Sequence, residues 1–285
     1  MMKNNKIWVY TICYNESHFV KNFLAAYKDA EKIVVYDNMS TDNSVELLTQ
    51  DSRVEIRQFD SGNKIRNDLH MNIKNDCWEE ARGKADWVIA VDFDEIFTRI
   101  RMVDGVVVYD LDLTDAYCND WNIIKPYGYD MVSFESPLYS EGHPYIYSKK
   151  GVDHPPSYKM CCFRPDKISK MNYGAGCHEA NPLDMDGYIE NIRVLINEDF
   201  KLLHYRFWNI DHYIRRIIDY KTRASEQDEE RGWGFHRKYS MEEHYALFVA
   251  NSILAKPLFE NVITKEQSLN LAREERLKMF IKCYE

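Results

Sequence analysis

The fold is decided by one stretch, Trp87-Val88-Ile89-Ala90-Val91-Asp92-Phe93-Asp94-Glu95, in which an apolar run ends in three carboxylates. A fully apolar strand is typical of a parallel sheet that is covered on both faces. The stretch closes a series of alternating strand and helix patterns, and such a series implies right-handed crossovers. We therefore predict an α/β fold with an open, mostly parallel twisted sheet and helices on both faces.

The other elements are predicted from hydrophobic spacing and capping residues. In the first hundred residues, strands are predicted over Ile7–Cys13, Lys32–Tyr36 and Val54–Phe59, and helices over His18–Ala30, 40–48 and Lys64–Arg82. Further strands are predicted over Asp130–Phe134, Tyr158–Phe163 and Lys201–Phe207. From Ile210 the pattern is helical, with helices over Glu243–Leu254 and Thr264–Lys282 and a mobile loop over Ser225–Arg237.

Composition excludes several classes of protein. Hydrophobic residues make up 45% of the 285 and charged residues 29%, which rules out wholesale disorder. The net charge of −9 argues against a nucleic-acid binder, so no nucleic-acid partner is expected. The seven cysteines form no CxxC pair, and no apolar run approaches the roughly 18 residues of a membrane span. We expect a cytoplasmic protein, and peripheral contact with the inner face of a membrane stays open.

The carboxylates after the apolar strand indicate a metal site. They stand at the C-terminal end of the strand, where open α/β sheets bind ligands. In an extended segment Asp92 and Asp94 point to the same side and Phe93 faces away. Carboxylates this close repel each other unless a divalent cation joins them, and oxygen ligands favour Mg²⁺ or Mn²⁺. Two further Asp-x-Asp pairs exist, at Asp110–Asp112 and Asp184–Asp186; the first also follows an apolar run and stays an alternative.

Two polar turns are predicted to open at the same edge of the sheet. The first is Tyr14-Asn15-Glu16, and the second begins at Asp37 and runs to Asp42. Short polar side chains at strand ends can contact a base and a ribose, and Asp37 would accept from a base N–H or a ribose hydroxyl. Residues 38–43 also have the composition of a helix cap, which is the alternative explanation.

These three motifs, in order and spacing over about the first 100 residues, resemble the family-2-like glycosyltransferases of GT-A fold, in the branch whose acidic motif ends in Asp-Glu. The resemblance implies a nucleotide-diphosphate sugar as donor, with a UDP-sugar the first expectation, and a divalent metal, Mn or Mg. It also implies transfer with inversion to a hydroxyl of a glycan or lipid-linked acceptor, as in surface polysaccharide synthesis. Residues 1–208 would form the catalytic domain, with a nucleotide half (1–100) and an acceptor half (101–208), and residues 209–285 a helical appendage.

The resemblance assigns roles to residues by position. Asp94 would ligate the metal, Asp92 would lie near both ribose and metal, and Glu95 is a further site candidate. Nucleotide contacts would come from the two turns and from a looser match after Arg66, namely from Tyr14, Asn15, Glu16, Asp37, Asn67, Asp68 and Asp92.

The second half of the chain carries two segments that look like the histidine-bearing segments of this branch. They are Gly176-Cys177-His178-Glu179 and Leu202-Leu203-His204-Tyr205-Arg206. His204 would complete the metal shell or meet the diphosphate, with Arg206 nearby, and His178 is a further site candidate. A lone histidine on a strand is otherwise a hydrogen-bonded core residue.

The chemistry requires cations and a base. A departing diphosphate builds up negative charge, which a metal and Arg206, Lys159 or Arg164 would neutralise. Displacement with inversion needs a carboxylate that removes the acceptor proton. Glu179, beside His178, is the first candidate and Glu135 the second. Ordinary family-2 members carry this base in a Glu-Asp motif. Here Glu198-Asp199 directly precedes the strand with His204, so this sequence departs from the family pattern at the base.

Two other functions fit the same scaffold. A sugar-phosphate nucleotidyltransferase shares the α/β layout and a metal carboxylate, but it favours a Gly-rich basic loop after the first strand. The corresponding residues 14–18 contain neither glycine nor lysine. A non-catalytic nucleotide- or glycan-binding protein is the third hypothesis, and binding without turnover would identify it.

Overall fold

The computed structural model describes residues 5–104, 106–133, 142–146, 148–234 and 238–258. Its helices are α1 (Val20–Ala26), α2 (Ser44–Leu48), α3 (Asn67–Asp76), α4 (Thr114–Cys118), α5 (Ile210–Thr222), α6 (Glu226–Glu230) and α7 (Met241–Leu254). Its strands are β1 (Ile7–Cys13), β2 (Lys32–Asp37), β3 (Val54–Gln58), β4 (Trp87–Asp92), β5 (Glu95–Val103), β6 (Val106–Asp110), β7 (Ile123–Ile124), β8 (Tyr127–Val132), β9 (Lys150–Asp153), β10 (Cys162–Phe163), β11 (Val194–Leu195), β12 (Phe200–Phe207) and β13 (Lys256–Pro257).

The first sheet confirms the predicted open α/β fold. Strands β3, β2, β1 and β4 lie side by side in that order and are all parallel. The register places Ile12 opposite Asp92 and Cys13 opposite Asp37, so the C-terminal ends of three strands meet at one edge. Beyond β4 the sheet continues through β10, β7 and β11, and β10 is antiparallel to both of its neighbours.

A second sheet, in the order β13-β9-β8-β12-β5-β6, was not predicted. It is mainly antiparallel. It contains β8 and β12, which correspond to strands that the sequence predicted without placing them in a sheet. The hairpin of β5 and β6 was missed because arginines interrupt its apolar pattern. Arg99 is nonetheless 9% exposed and faces three aspartates, and Arg101 bonds Asp110 at 2.8 Å, so these charges are compensated inside the sheet. The alternative Asp110–Asp112 pair is thus engaged by arginines.

The turn between β4 and β5 joins the two sheets and corrects one prediction. The extended strand does not continue through the acidic motif, because residues 93 and 94 form a turn between the end of β4 at Asp92 and the start of β5 at Glu95. Phe93 fixes this turn: it is 2% exposed and stacks on Phe23 of α1, with ring centroids 4.4 Å apart and 12° between planes. The acidic motif therefore stands where the two sheets meet.

The C-terminal helices pack on the second sheet. Tyr213 and Ile217 of α5 and Phe248 of α7 form an apolar cluster with Val132 and Phe207. Helix α6 lies within the stretch predicted as a mobile loop, and that prediction is wrong for residues 226–230. The predicted helix 264–282 lies outside the described residues. Within the described ranges, no helix is both long and apolar enough to cross a membrane.

Two predicted helices are shorter in the structure. In the region predicted as a helix over 18–30, only α1 is helical. The region predicted as one helix over 64–82 contains α3 and, after a break, a 3₁₀ turn at Glu79–Ala81.

Replacing Phe93 by alanine is expected to lower the free energy of unfolding by about 3–5 kcal/mol, because it empties the space beneath the acidic turn. Urea denaturation measures the change. Val106→Ala is the control: Val106 is 63% exposed on β6, and its truncation should cost no more than about 0.5 kcal/mol. Equal losses in the two variants would contradict the anchoring role of Phe93.

Candidate active site

A cleft of about 980 Å³ opens at the C-terminal ends of β1 and β4. Its walls come from the turn after β1, the acidic turn, α3, the loop 175–178 and the polar face of α5. Ligands of open α/β sheets bind at this edge. The cleft also falls in the 300–1,000 Å³ range of small-molecule sites, so it is the candidate active site.

The cleft brings together eight of the predicted site residues, namely Tyr14, Asn15, Glu16, Asn67, Asp92, Asp94, His178 and His204. Five others do not line it, namely Asp37, Asp68, Glu95, Glu179 and Arg206. The second base candidate, Glu135, lies outside the described residues.

Asp92 is held by two buried lysines. Lys74 of α3 donates to Asp92 Oδ1 at 2.6 Å, and Lys159 donates to Oδ2 at 3.2 Å. Burial raises the pKa of Asp92, but the two ammonium groups outweigh burial and hold it well below its usual range. Its side chain keeps 40% exposure, so one edge of this ionised carboxylate faces the cleft.

Glu95 holds both Lys159 and the backbone of Asp92 in place. It is 1% exposed, accepts from Lys159 Nζ at 2.6 Å and accepts from the backbone N–H of Asp92 at 3.1 Å. Its placement inside the protein explains why it does not line the cleft. Lys159, predicted as a cation for the diphosphate, instead neutralises Glu95 and Asp92.

Asp94 is held from the opposite side. Arg216 of α5 donates to Asp94 Oδ2, and His204 Nε2 lies 3.1 Å from the same oxygen. Burial raises the pKa of Asp94, and Arg216 and His204 outweigh it, so the pKa lies well below the usual value. Protein cations therefore compensate both carboxylates, with lysines at Asp92 and with Arg216 and His204 at Asp94.

His204 lies between two carboxylates. Its Nδ1 is 2.8 Å from Oδ1 of Asp130, a residue of β8 that is 4% exposed. Burial lowers the pKa of His204, but Asp94 and Asp130 together raise it to about 10. The sequence could not identify this second partner, because β8 and β12 become neighbours only through the second sheet.

Two candidate metal sites use His204, and among the described residues only the first of them has the spacing of metal ligands. Asp130, His154 and His204 place one ligand atom each within 4.8 Å of one another. The predicted set uses Nε2 of the same ring with Asp94 and Asp92. Only the second arrangement faces the cleft, because Asp130 and His154 do not line it. In that arrangement Asp130 becomes the carboxylate that orients a metal-bound imidazole, a common pairing in proteins.

The two strand-end turns are joined by hydrogen bonds, as their predicted meeting at one edge requires. Asn15, with φ of 55°, accepts at Oδ1 from the backbone N–H groups of Thr41 and Asp42 at 2.7 and 3.2 Å. Asp37 is fully buried and accepts from the N–H of Ser40 at 3.1 Å. The turn-forming role of Asp37 is thus visible, and its side chain does not reach the cleft.

Glu16 is enclosed beside α5. Among the described residues its Oε2 is buried and has no hydrogen-bond partner. Burial raises the pKa of Glu16 to about 8, with Asp94 adding to burial and Arg216 opposing it. The rings of His18 and His212 lie next to it in a tilted contact, with centroids 4.1 Å apart and 48° between planes, and burial lowers their pKa values to about 4 and 2. Burial therefore favours the uncharged form of all three side chains on this wall.

Sequence reasoning missed the polar face of α5. The residues of this helix that line the cleft are Asp211, His212, Arg215, Arg216, Asp219 and Tyr220, and Arg223, directly after the helix, lines it as well. The spacing was present in the sequence, opposite the apolar face of Tyr213, Ile214 and Ile217. This spacing did not predict a site, because the polar residues of a helix usually face solvent.

The C-terminal helices close the wall opposite the acidic turn. Arg223 lies over the ring of Tyr14, 3.3 Å from its centroid. Asp228 of α6 is fully buried and accepts from the side chain of Asn67 at 2.7 Å. Asn67 thus reaches the cleft while its amide is engaged, and Asp68 pairs with Arg66 at 2.7 Å outside it.

The remaining candidates lie away from the cleft. The Glu179 side chain is exposed, and its backbone carbonyl closes the loop by accepting from Gly174 at 3.0 Å. Arg206 lies over the ring of Phe207, 5.3 Å from its centroid, and Arg164 pairs with Asp120 at 2.6 Å. None of these three lines the cleft.

Comparison with known proteins gives structural neighbours. No family model and no curated protein matches the chain. Glucosyl-3-phosphoglycerate synthase from Mycobacterium tuberculosis, in complex with phosphoglyceric acid, matches at 12% sequence identity and a TM-score of 0.27, over 44% of each chain. A structure described as a mycobacterial protein matches at 12% identity and a TM-score of 0.26, over 44% of this chain and 41% of that one. The matched part is less than half of either neighbour.

Replacing Lys159 by methionine is expected to destabilise the protein by about 3–5 kcal/mol, because Glu95 would keep a buried charge without its cation. Urea denaturation measures the loss. The double variant Lys159→Met/Glu95→Gln should be more stable than the single variant, since it removes that charge.

Lys167→Met is the matched control. Lys167 is 42% exposed and pairs with Asp120 at 3.7 Å on the surface, where such pairs contribute at most about 1 kcal/mol. A loss in Lys159→Met as small as that in the control would show that the buried pair does not hold the turn.

Proposed function

We propose that this protein is a metal-dependent glycosyltransferase that moves a sugar from a nucleoside-diphosphate sugar to an acceptor hydroxyl with inversion. The observation that supports this most directly is the convergence of Asp92, Asp94 and His204 with the turn Tyr14–Glu16 in one cleft at the edge of the parallel strands. The sequence resemblance to family-2-like glycosyltransferases motivates the same function. The expected acceptor is a glycan or a lipid-linked sugar.

The donor nucleotide would lie between the turn after β1 and α3. Asn15 is fixed there by its bonds to residues 41 and 42, so its backbone and that of Glu16 present a rigid edge. The Tyr14 ring, held under Arg223, offers an aromatic face for a base. A UDP-sugar is the first donor to test.

Asp94 and His204 would hold the metal, with Asp92 beside them. Their mixed set of carboxylate oxygens and one imidazole nitrogen fits Mn²⁺ better than Mg²⁺, which takes oxygen ligands. When bound, the metal would neutralise charge on the leaving diphosphate. Arg216 bonds Oδ2 of Asp94, so a metal ion bound through this oxygen would compete with the guanidinium.

The cations of α5 would hold the diphosphate. Arg215 is exposed on the cleft wall, and Arg216 lies one residue further along the same helix. A guanidinium can donate two parallel hydrogen bonds to phosphate oxygens, which both neutralises and orients the group. These arginines replace Arg206, Lys159 and Arg164 as candidates, because those three do not line the cleft.

The first experiment is thermal unfolding with UDP, GDP, dTDP and CMP, each with and without Mn²⁺. A ligand at about 100 times its dissociation constant adds roughly 2.7 kcal/mol, which should raise the midpoint by about 5 °C. We expect a manganese-dependent rise with one nucleoside diphosphate in the wild type and its loss in Asp94→Asn. Nucleoside diphosphate release from the matching sugar nucleotide then tests turnover.

The other outcomes point to other functions. Nucleotide binding without release from any sugar nucleotide would favour a non-catalytic binding protein. Absence of a rise with all four nucleotides, at saturating concentrations, would contradict the proposal.

Asp130→Asn tests the orientation of His204 separately. Loss of such a carboxylate partner usually weakens metal affinity by about 10–100-fold. We expect the Mn²⁺ concentration that gives half of the thermal rise to increase by that factor. Asp153→Asn on neighbouring β9 is the control and should leave the concentration unchanged, because Asp153 contacts Tyr158 rather than His204. A similar change in both variants would argue against this role of Asp130.

A further inference from the structure

The loop that follows Gly174 fixes the protonation of one imidazole in the cleft. Nδ1 of His178 lies 2.7 Å from the backbone carbonyl oxygen of Pro156. A carbonyl only accepts hydrogen bonds, so Nδ1 must carry the proton. In the neutral ring, Nε2 is then unprotonated and is the basic atom.

The basic edge of this ring lies over Gly176. A Cβ atom added to Gly176 would come within 2.7 Å of both Nε2 and Cδ2 of His178. Gly176 also has a φ of +67°, a conformation that side chains rarely adopt. Both residues line the cleft, so the local backbone is shaped to seat the ring with this edge at the cleft wall.

The other cleft histidines are placed differently. His204 lies between Asp94 and Asp130, and His18 and His212 are in tilted ring contact with each other. Nε2 of His70 also has no hydrogen-bond partner among the described residues, but it is buried and so is not open to an acceptor hydroxyl. Within the described part of the chain, Nε2 of His178 has no hydrogen-bond partner, whereas Nδ1 is bonded to Pro156.

We propose that His178 is the general base of the transfer reaction, in place of the carboxylate expected from the sequence. This rests on the proposed function. The acceptor hydroxyl gives its proton to Nε2 while its oxygen forms a bond to the anomeric carbon. The bond from that carbon to the phosphate oxygen breaks, and its electron pair leaves with the nucleoside diphosphate. The protonated ring then loses its proton to solvent.

The charges around His178 favour a neutral ring before the reaction. Burial lowers its pKa, Lys159 lowers it further, and the hydrogen bond to Pro156 opposes them. The negative charges of Glu95 and Asp92 raise the pKa of His178. The other titratable groups near the ring are His154, whose pKa His178 lowers, and the exposed Glu179, its neighbour in the chain. The net direction is a lowered pKa, which keeps Nε2 available at neutral pH.

Two substitutions separate the base from the loop anchor. In His178→Asn the amide nitrogen can replace Nδ1 as donor to Pro156, but the variant has no basic nitrogen. His178→Ala removes both. The measurement is release of nucleoside diphosphate from UDP-glucose, UDP-galactose and GDP-mannose with Mn²⁺, with water or added glucose as acceptor.

We expect kcat to fall by about 100-fold or more in His178→Asn, with the nucleotide-dependent thermal rise unchanged. The acid limb of the wild-type pH–rate profile should disappear in this variant. Free imidazole should partly restore the rate of His178→Ala. Nitrogen NMR of the wild type should show a protonated Nδ1 and a bare Nε2, with the signals identified by their absence in His178→Asn.

The failures of the two proposals are distinguishable. A wild type that releases nucleoside diphosphate, together with a His178→Asn variant of equal rate, would overturn the role of His178 alone. Loss of the rate in Glu179→Gln with the rate kept in His178→Asn would return the role to the carboxylate. A wild type that neither binds nor turns over any nucleotide would overturn the proposed function and the base assignment with it.

Discussion

Charge compensation around the acidic turn is the constraint on which the rest of this structure depends. Taking an ion out of water costs several kcal/mol, and only a well-placed counter-ion repays it. Asp92 and Glu95 share Lys159, and Asp94 meets Arg216 and His204, so each carboxylate of the turn has a cation. These cations come from separate parts of the chain. The turn therefore fixes the two sheets and α5 relative to one another.

The parallel half of the fold and the position of the candidate site could be predicted from the sequence. Strand β4 is continuous and apolar, and the polar turns at the ends of β1 and β2 could only meet at its C-terminal edge. The second sheet was not accessible in the same way, because Arg99 occupies a buried position that an apolar pattern would leave to an aliphatic residue. Its charge is compensated by Asp112, Asp115 and Asp199, and the sequence does not show that these three aspartates lie close to Arg99.

The partners of the site residues were the least predictable part. Asp130 and His204 are 74 positions apart, and no local pattern connects them. The polar face of α5 was visible as a period of three to four residues, but its meaning depends on which side of the helix faces the sheet. By contrast, Glu179 was chosen for its position next to His178, and adjacency in a loop does not make two side chains point the same way. Both residues are solvent-exposed, but only His178 lines the cleft.

The contacts between α5, α6 and the first sheet also govern when the site can exist during synthesis. Asp94 finds Arg216 122 positions later, and the side chain of Asn67 finds Asp228 161 positions later. A ribosome builds the chain from the N-terminus, and elements generally fold as they emerge. The parallel strands can therefore pair early, but the acidic turn must wait for its arginine. A nascent chain therefore lacks a complete cleft until α6 has left the exit tunnel, and the parallel sheet precedes the site that it carries.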